Sequence, residues 1–442
     1  MRWRSFEWVA TPGRALGLGL VAWIAAVATP AAGQEPEAVV TLEEAIAAAM
    51  RNHPALIQGR GAVRTAVAAE RSAWGSFLPS ISLSSGASRS STERFNPQTN
   101  TTVTGSRDTY SAGLSSSVDL FTGGRRGAEL RQARAETDAA EASLLNQRFA
   151  VILSVKRAFF DVLRADEMIR VAEAGLTRAQ EVREAAERRM RAGTATRSDV
   201  LRAELEIANA RQSLLQAQAQ RRTAMFELGR VIGMDGAVGA RLTEPLEPRP
   251  LGVSDEELVA LVLQSAPSVR AAESAARSAD AGVSAARAQY FPSLRLSGGY
   301  DWANQTATLD GGTKSWSLRL SLSYPVFNGF AREANIERAE VQATVARAQL
   351  EDARRAARAQ LETVLANLRL AEQRIVLAEE AVRVAEEDLR VQQERYRLGA
   401  STILDQITSQ INLMQAEVDR VAARYDYQIA RAELEALVGR EL

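Results

Sequence analysis

Large apolar residues recur at every seventh position along one long stretch in each half of the chain. The stretches run from Arg125 to Met190 and from Ala331 to Tyr396, and they contain no proline and no glycine except Gly127 and Gly175. This spacing is typical of a helix that packs lengthwise on another helix. At about 1.5 Å per residue, each stretch predicts a helix of roughly 100 Å. The predicted seam residues are Leu361, Leu368, Ile375, Val382, Leu389 and Tyr396 in the second half, and Val155, Val162, Ile169, Leu176 and Met190 in the first.

Two other stretches alternate apolar and small polar residues with a period of two, which is the pattern of a strand. They run from Tyr110 to Leu120 and from Trp316 to Leu322. A second strand-like stretch precedes each of them, so we predict two hairpins, over about 78–121 and 291–327. Aromatic residues lie near the strand ends, as in the girdles of membrane barrels. The residues predicted to face lipid are Leu114, Val118, Trp316, Leu318, Leu320 and Leu322.

Landmarks of the first half return in the second half at nearly constant offsets. Pro54 and Pro267 lie 213 positions apart (267 − 54), and Gly193 and Gly399 lie 206 apart (399 − 193). A unit of about 200 residues is too long for a solenoid repeat, so we infer a duplicated module. We predict a first repeat over 34–233, a linker over 234–253 and a second repeat over 254–442.

Composition narrows the compartment and the function. Residues 1–33 combine early arginines, an apolar stretch and small residues, which predicts a secretory signal peptide. Export without any cysteine fits a bacterial envelope protein. The 54 basic and 54 acidic residues leave no net charge, so we predict no nucleic-acid partner. The single histidine, His53, cannot serve as half of a ligand pair, and we predict no enzyme activity, no metal and no cofactor.

The apolar faces of the strands need a partner that the long helices do not provide, because those helices pack their seams on one another. Lipid is the remaining apolar medium, but four strands per chain cannot close a membrane barrel, which needs at least about eight. Two chains would give a filled eight-stranded barrel, whereas three would give twelve strands and a channel. We therefore predict a homotrimer. A periplasmic coiled-coil scaffold with a small soluble sheet stays open as the alternative.

A turn with a repeated pattern follows each long helix. A glycine suits the left-handed position that ends a helix, and a Thr-x-x-Asp sequence fits a capping box at the start of the next one. Capping alone accounts for both aspartates. In a three-fold assembly, Asp405 would also form a ring of three carboxylates that favours cations at the narrowed tip, and both interpretations stay open. The turn residues are Gly193, Thr196 and Asp199 in the first repeat, and Gly399, Thr402 and Asp405 in the second.

Several local motifs resemble one family over about Thr41 to Leu442. They are Asn52-His53-Pro54, Leu120-Phe121-Thr122-Gly123-Gly124-Arg125, Val326-Phe327-Asn328-Gly329, and Tyr396-Arg397-Leu398-Gly399 followed by Asp405. Together with the order of elements, they resemble the TolC family of outer-membrane efflux proteins. The resemblance implies a mainly α fold with membrane β-strands. Long coiled-coil helices would form a periplasmic α-barrel, and four strands per chain would contribute to a 12-stranded trimeric β-barrel in the outer membrane.

The resemblance also implies a passive exit duct in the outer membrane of a Gram-negative-type bacterium, with a large periplasmic extension. Its partners would be a periplasmic adaptor (membrane fusion) protein and an inner-membrane pump of the RND or ABC type, serving multidrug efflux or type I secretion of polypeptides. Some relatives carry a second gate aspartate where this chain has Thr408. Our candidate gate residues are Asp405, Asp199, Thr408 and Tyr396, and our candidates for adaptor docking are Gly193, Thr194, Thr196, Gly399, Ala400, Ser401 and Thr402.

Overall fold

The computed structural model describes residues 38–98, 100–243, 254–308 and 310–440. The predicted signal peptide, 1–33, lies outside the described residues, and so does the part of the predicted linker after residue 243. The boundaries proposed for the two repeats therefore stay predictions.

Eight α-helices in the described part of the chain form two sets of four, with nearly the same lengths in the same order: 11, 22, 67 and 36 residues, then 11, 21, 67 and 36. The two longest have 67 residues each, as the uninterrupted helix-forming stretches predict, and reach about 100 Å at 1.5 Å per residue. The helices are α1 (Leu42–Asn52), α2 (Pro54–Gly75), α3 (Arg125–Arg191), α4 (Arg197–Ile232), α5 (Asp255–Ser265), α6 (Pro267–Arg287), α7 (Ala331–Arg397) and α8 (Ile403–Val438).

His53 and Pro54 make the turn between α1 and α2, as the sequence predicts. The His53 backbone is extended, and its Nδ1 accepts a hydrogen bond of 3.3 Å from the backbone N–H of Ala55. Proline suits the first position of the new helix because it lacks an N–H group that would be unpaired there. The only histidine of the chain is thus used as a helix cap.

The strands form two sheets. The larger has four antiparallel strands in the order β2-β3-β5-β6, so β2 and β6 are its edges. The smaller pairs β1 with β4 in parallel, and the sequence analysis missed it because each strand has three residues. The strands are β1 (Ala38–Val40), β2 (Ser80–Asn96), β3 (Thr101–Phe121), β4 (Val238–Ala240), β5 (Ser293–Asn304) and β6 (Thr313–Ser323).

The hairpin formed by β2 and β3 is longer than the one formed by β5 and β6. Asn304, the last residue of β5, pairs with Tyr110, and beyond this level β2 and β3 continue to pair with each other up to Asn96 and Thr101. On the side away from the helices, the strands of the first hairpin therefore extend farther than those of the second.

The four longest helices lie side by side in the order α4, α3, α8, α7, with α3 and α8 in the centre. All six predicted seam residues of α7 are buried. In α3 the predicted seam is wrong in the C-terminal part of the helix, toward the tip turn. There, Met190 is exposed and Ile169 and Leu176 are only half-buried. Alanines form the buried seam there, since α3 must pack closely on a helix at either side. They are Ala158, Ala165, Ala172, Ala179 and Ala186.

Candidate functional site

The four-stranded sheet leaves one face apolar and uncovered. Side chains on this face are among the most exposed large hydrophobic residues of the single chain, with Leu83 at 80% and Trp316 at 77%. All the residues predicted to face lipid lie on it, because the register pairs Leu114 with Tyr300 and Val118 with Leu296. The same face also contains Ile81, Leu83, Leu294, Leu296 and Tyr300.

The opposite face of the sheet is made mostly of serine and glycine. Ser82 and Ser115 hydrogen-bond each other at 2.6 Å through their hydroxyl groups. Asp119 accepts a hydrogen bond of 2.7 Å from Arg295 on the neighbouring strand. Small hydroxyl side chains and a paired charge are suited to contact with water, so the two faces differ as the lipid and water sides of a membrane barrel do.

An arginine anchors each junction between the sheet and a long helix. Arg126 donates a hydrogen bond of 3.0 Å to the carbonyl of Ser76, and its guanidinium lies 4.9 Å from the ring centroid of Phe77. In the second repeat, Arg332 donates one of 3.1 Å to the carbonyl of Pro325 and lies 4.3 Å from the ring of Tyr290. Both arginines are buried.

Sequence reasoning missed these arginines, although the offset of 206 that relates them (332 − 126) was available. Gly123 shows how tightly the first junction is built. It has φ of +64°, and a Cβ atom added there would lie 2.6 Å from the carbonyl oxygen of Ala288. A side chain at this position would be strained both by backbone conformation and by contact.

The two tip turns contain the predicted capping boxes. Thr196 accepts a hydrogen bond from the backbone N–H of Asp199, and the Asp199 carboxylate accepts one of 2.9 Å from the N–H of Thr196. Thr402 and Asp405 repeat this arrangement, with 2.8 Å for the second bond. The capping prediction is thus confirmed for both aspartates.

Asp405 keeps a free side despite its capping role. Its hydrogen bonds from Thr402 all reach Oδ2, and the side chain is exposed. The hydrogen bond from the Thr402 hydroxyl, followed by that from its backbone N–H, holds the pKa of Asp405 below its usual value. The carboxylate is therefore ionised at neutral pH and available on its Oδ1 side.

Other candidates at the tip lie in different surroundings. Thr408 is exposed one turn after Asp405 and donates its hydroxyl to the carbonyl of Leu404 at 2.9 Å. Asp199 is half-buried. The docking candidates Gly193, Thr194, Gly399 and Ala400 are exposed, as are Thr196 and Thr402, whereas Ser401 is half-buried.

Tyr396 is buried between the two tip turns and does not lie on an open surface. It packs with Val182, Ala186, Val200, Ala203, Ile403 and Ile407. The Arg189 guanidinium lies 4.3 Å from its ring centroid and donates a hydrogen bond to its backbone carbonyl. Burial raises the pKa of the Tyr396 hydroxyl. The positive charge of Arg189 lowers this pKa, and the negative charge of Asp199 raises it further. Arg189, which the sequence analysis did not single out, thus joins the end of α3 to the end of α7.

The two flanking helices carry apolar stripes that nothing in the described chain covers. On α7, the stripe repeats every seven residues on the side opposite the buried seam. On α4, the stripe residues are 4, 10 and 11 positions apart, which places them on one face of the helix at about 100° per residue. Such exposed seams are typical of helices that pack on another chain. The stripe residues are Leu370, Leu377, Val384 and Val391 on α7, and Leu201, Leu205, Leu215 and Phe226 on α4.

None of the helices in the described part combines the length and apolar character needed to cross a bilayer. Within residues 38–98, 100–243, 254–308 and 310–440, no group of three or more His, Cys, Asp and Glu side chains is placed to hold a metal ion.

Long helices joined to a sheet with one apolar and one polar face define the class of outer-membrane channel proteins. The fold is similar to that of the outer membrane protein VceC of Vibrio cholerae, with a TM-score of 0.77 at 22% identity over 90% of this chain and 96% of VceC. The family model "Outer membrane efflux protein" matches residues 45–234 and 258–440. The chain therefore belongs to the outer membrane efflux protein family, which confirms the resemblance stated above.

Two curated relatives agree with this assignment. The chain is 31% identical to Protein CyaE of Bordetella pertussis over 341 residues, which are 75% of this chain and 70% of CyaE. It is 24% identical to the outer membrane efflux protein BepC of Brucella suis over 401 residues, covering 90% of this chain and 85% of BepC.

The chain is thus an outer-membrane exit duct with a large periplasmic extension, and the predicted location and general function are confirmed. The scaffold alternative is set aside. Members of this family are channels, not enzymes; they form trimers and work with a periplasmic adaptor and an inner-membrane pump.

Proposed function

We propose that three copies of this chain form one continuous duct, with a twelve-stranded barrel in the outer membrane and twelve helix segments around the periplasmic tunnel. The observation that carries this proposal is that both edges of the sheet and both sides of the helix layer lack a packing partner in the single chain. The edge strands β2 and β6 have no outer neighbour in the described residues, and α4 and α7 carry exposed apolar stripes. When copies close into a ring by rotation, β6 of one copy lies beside β2 of the next, and α7 of one copy lies beside α4 of the next.

The faces of the sheet then have defined roles. The apolar face contacts lipid, and the serine-rich face lines the water-filled barrel. Leu114, Val118, Trp316, Leu318, Leu320 and Leu322 are the lipid-facing residues. Three copies are favoured over two because an eight-stranded barrel is filled by its own side chains.

The Asp405 carboxylates form the selective constriction at the periplasmic tip. One oxygen of each carboxylate caps α8, and the other is free to act on passing ions. Thr408 continues the same polar surface one turn away, and Asp199 and Tyr396 support the tip from its buried side. A ring of ionised carboxylates attracts cations and repels anions.

The exposed tip turns form the surface on which a periplasmic adaptor docks. Gly193 and Gly399, with φ of +73° and +76°, give these turns their shape. Leu398 is 73% exposed beside Gly399 and supplies an apolar contact. The adaptor connects the duct to an RND or ABC-type pump, and the duct carries small molecules or polypeptides outward without an energy source of its own.

Single-channel conductance of the purified full chain in planar bilayers tests this function. We expect discrete, cation-preferring steps that divalent cations block. Asp405→Asn should lose most of the cation preference while keeping the cap, because an amide oxygen can still accept the Thr402 N–H. Asp199→Asn is the matched control in the other tip and should change selectivity less. Unchanged selectivity in Asp405→Asn would leave Asp405 with a capping role only, and a well-folded protein that never conducts would refute the duct.

A further inference from the structure

Two basic residues stand on the outward, apolar face of the sheet, near the hairpin turns. Lys314 on β6 follows the alternation of Trp316 and Leu318, and it pairs in register with Trp302 on β5. Arg89 on β2 follows the alternation that includes Leu83. Because the helices attach at the opposite end of the strands, both residues lie on the external side of the membrane.

The two side chains differ in how far their positive charge is compensated within the chain. Lys314 is exposed and makes no hydrogen bond or ion pair with the residues that the structure describes. The Arg89 side chain is 75% exposed, and its Nε and Nη2 donate to the two oxygens of Asp108 at 2.6 and 2.8 Å. This geometry leaves the Nη1 hydrogens of Arg89 pointing away from the ion pair.

The height of Lys314 matches the outer boundary of the membrane. Eight residues (322 − 314) separate it from Leu322 along β6, which is about 27 Å of strand at roughly 3.4 Å per residue, or about 21 Å along the membrane normal for a strand tilted by about 40°. The apolar band of an outer-membrane barrel is about 25 Å tall and ends in aromatic residues. Tyr300 and Trp316 pair at the level just below Lys314. The flexible lysine stem can extend past these rings to place its ammonium among lipid headgroups.

We propose that Lys314 of one copy and Arg89 of the next form a binding site for the phosphate groups of the phosphorylated glycolipid of the outer leaflet. This site rests on the proposed ring closure, because β6 and β2 are the two edge strands and closure brings them together at one seam. A trimer would hold three such sites. Each cation near an anionic lipid surface strengthens binding by about fivefold.

Titration of the purified trimer in phospholipid nanodiscs with fluorescent deep-rough lipopolysaccharide tests the site. We expect Lys314→Gln and Arg89→Gln each to weaken binding by about fivefold. Asp108→Asn should strengthen it, because it frees the Arg89 guanidinium. Arg319→Gln is the matched control, since Arg319 lies on β6 but points to the opposite, polar face. A variant with both Lys314→Gln and Arg89→Gln should bind lipopolysaccharide weakly. The wild type should bind the dephosphorylated glycolipid no more tightly than that.

Several results would overturn the site. Equal binding of the dephosphorylated glycolipid, or of phosphatidylglycerol, would reduce Lys314 to a nonspecific interface anchor, and an equal loss in Arg319→Gln would remove the assigned face. The mass of the assembly and its conductance are measured on the same samples. Failure to form a conducting trimer would refute the proposed function. A conducting trimer with the same lipopolysaccharide affinity in wild type and Lys314→Gln would refute only this inference.

Discussion

At the scale of single residues, the tip is built from contacts with separable contributions. Asp405 caps a helix with one oxygen and leaves the other free, whereas Tyr396 is buried and serves as a packing surface. Arg189 reaches it from the first repeat and covers its ring. The charge that we propose to act on passing ions and the packing that holds the tip therefore belong to different side chains, so they can be changed one at a time.

Removal of the Arg189 guanidinium should destabilise the tip, whereas removal of the Tyr396 hydroxyl should not. Arg189→Met loses the contact with the ring and a hydrogen bond, together about 1–2 kcal/mol. The Tyr396 hydroxyl is buried without a hydrogen-bond partner among the described residues, so Tyr396→Phe should be neutral or slightly stabilising. Hydrogen exchange of the tip amides measures both. Faster exchange in Tyr396→Phe would mean that the hydroxyl has a partner in the assembled duct.

The charge of Asp405 should not respond to pH in the neutral range. Its pKa in the folded protein is lowered from 3.8, mainly by the Thr402 hydroxyl. Its capping contribution is therefore fully present above the unfolded value and is lost as pH falls through the still lower folded value. We expect the cation preference of the channel to stay constant from about pH 8 to 5 and to fall only below about pH 4. Loss of selectivity already near pH 6, in wild type but not in Asp405→Asn, would contradict this assignment.

At the scale of elements, the seven-residue pattern predicted both long helices and the seam of α7, but only the upper part of the seam of α3. A search for large apolar residues favours Ile169 and Leu176, yet α3 lies in the middle of the helix layer and contacts a helix on each side. Close approach on both sides requires small side chains, which carry no strong hydrophobic signal. The junction arginines were missed for a related reason, because a buried arginine looks like surface charge until its aromatic partner is known.

Overpacking the alanine seam should separate α3 from α4. Ala179 is fully buried and packs with Ile207 and Ala210, so Ala179→Leu must displace its neighbours at a cost of about 1–3 kcal/mol. Ala174→Leu, an exposed site on the same helix, is the matched control and should be nearly neutral. The midpoint of thermal unfolding, followed by the helical circular dichroism signal, distinguishes them. Equal midpoints would show that the α3–α4 contact in the assembly is looser than in this chain.

At the scale of the whole molecule, both the membrane sheet and the periplasmic helices have surfaces that need a partner. The sheet has two open edges, and the helix layer has two apolar flanks. An assembly that paired only the helix flanks would leave unpaired backbone groups of the sheet edges in lipid. One that paired only the sheet edges would leave apolar stripes of the helices in water. A ring of copies satisfies both requirements together, which is why period-two and period-seven patterns in one sequence already favoured an oligomer. The number of copies followed from barrel size and not from the residue pattern.

The apolar stripe on α7 should therefore be required for assembly but not for folding of the single chain. Leu377→Glu places a charge where the proposed ring packs α4 of the next copy, and we expect it to leave mostly monomers after gentle detergent extraction, with helical content unchanged. Val376→Glu is the matched control. Val376 is the adjacent residue with similar exposure, 59% against 66%, but it points about 100° away from Leu377 around the helix, so the proposed ring would leave it in solvent. Native mass spectrometry counts the copies, and intact trimers in Leu377→Glu would show that α7 is not the interface.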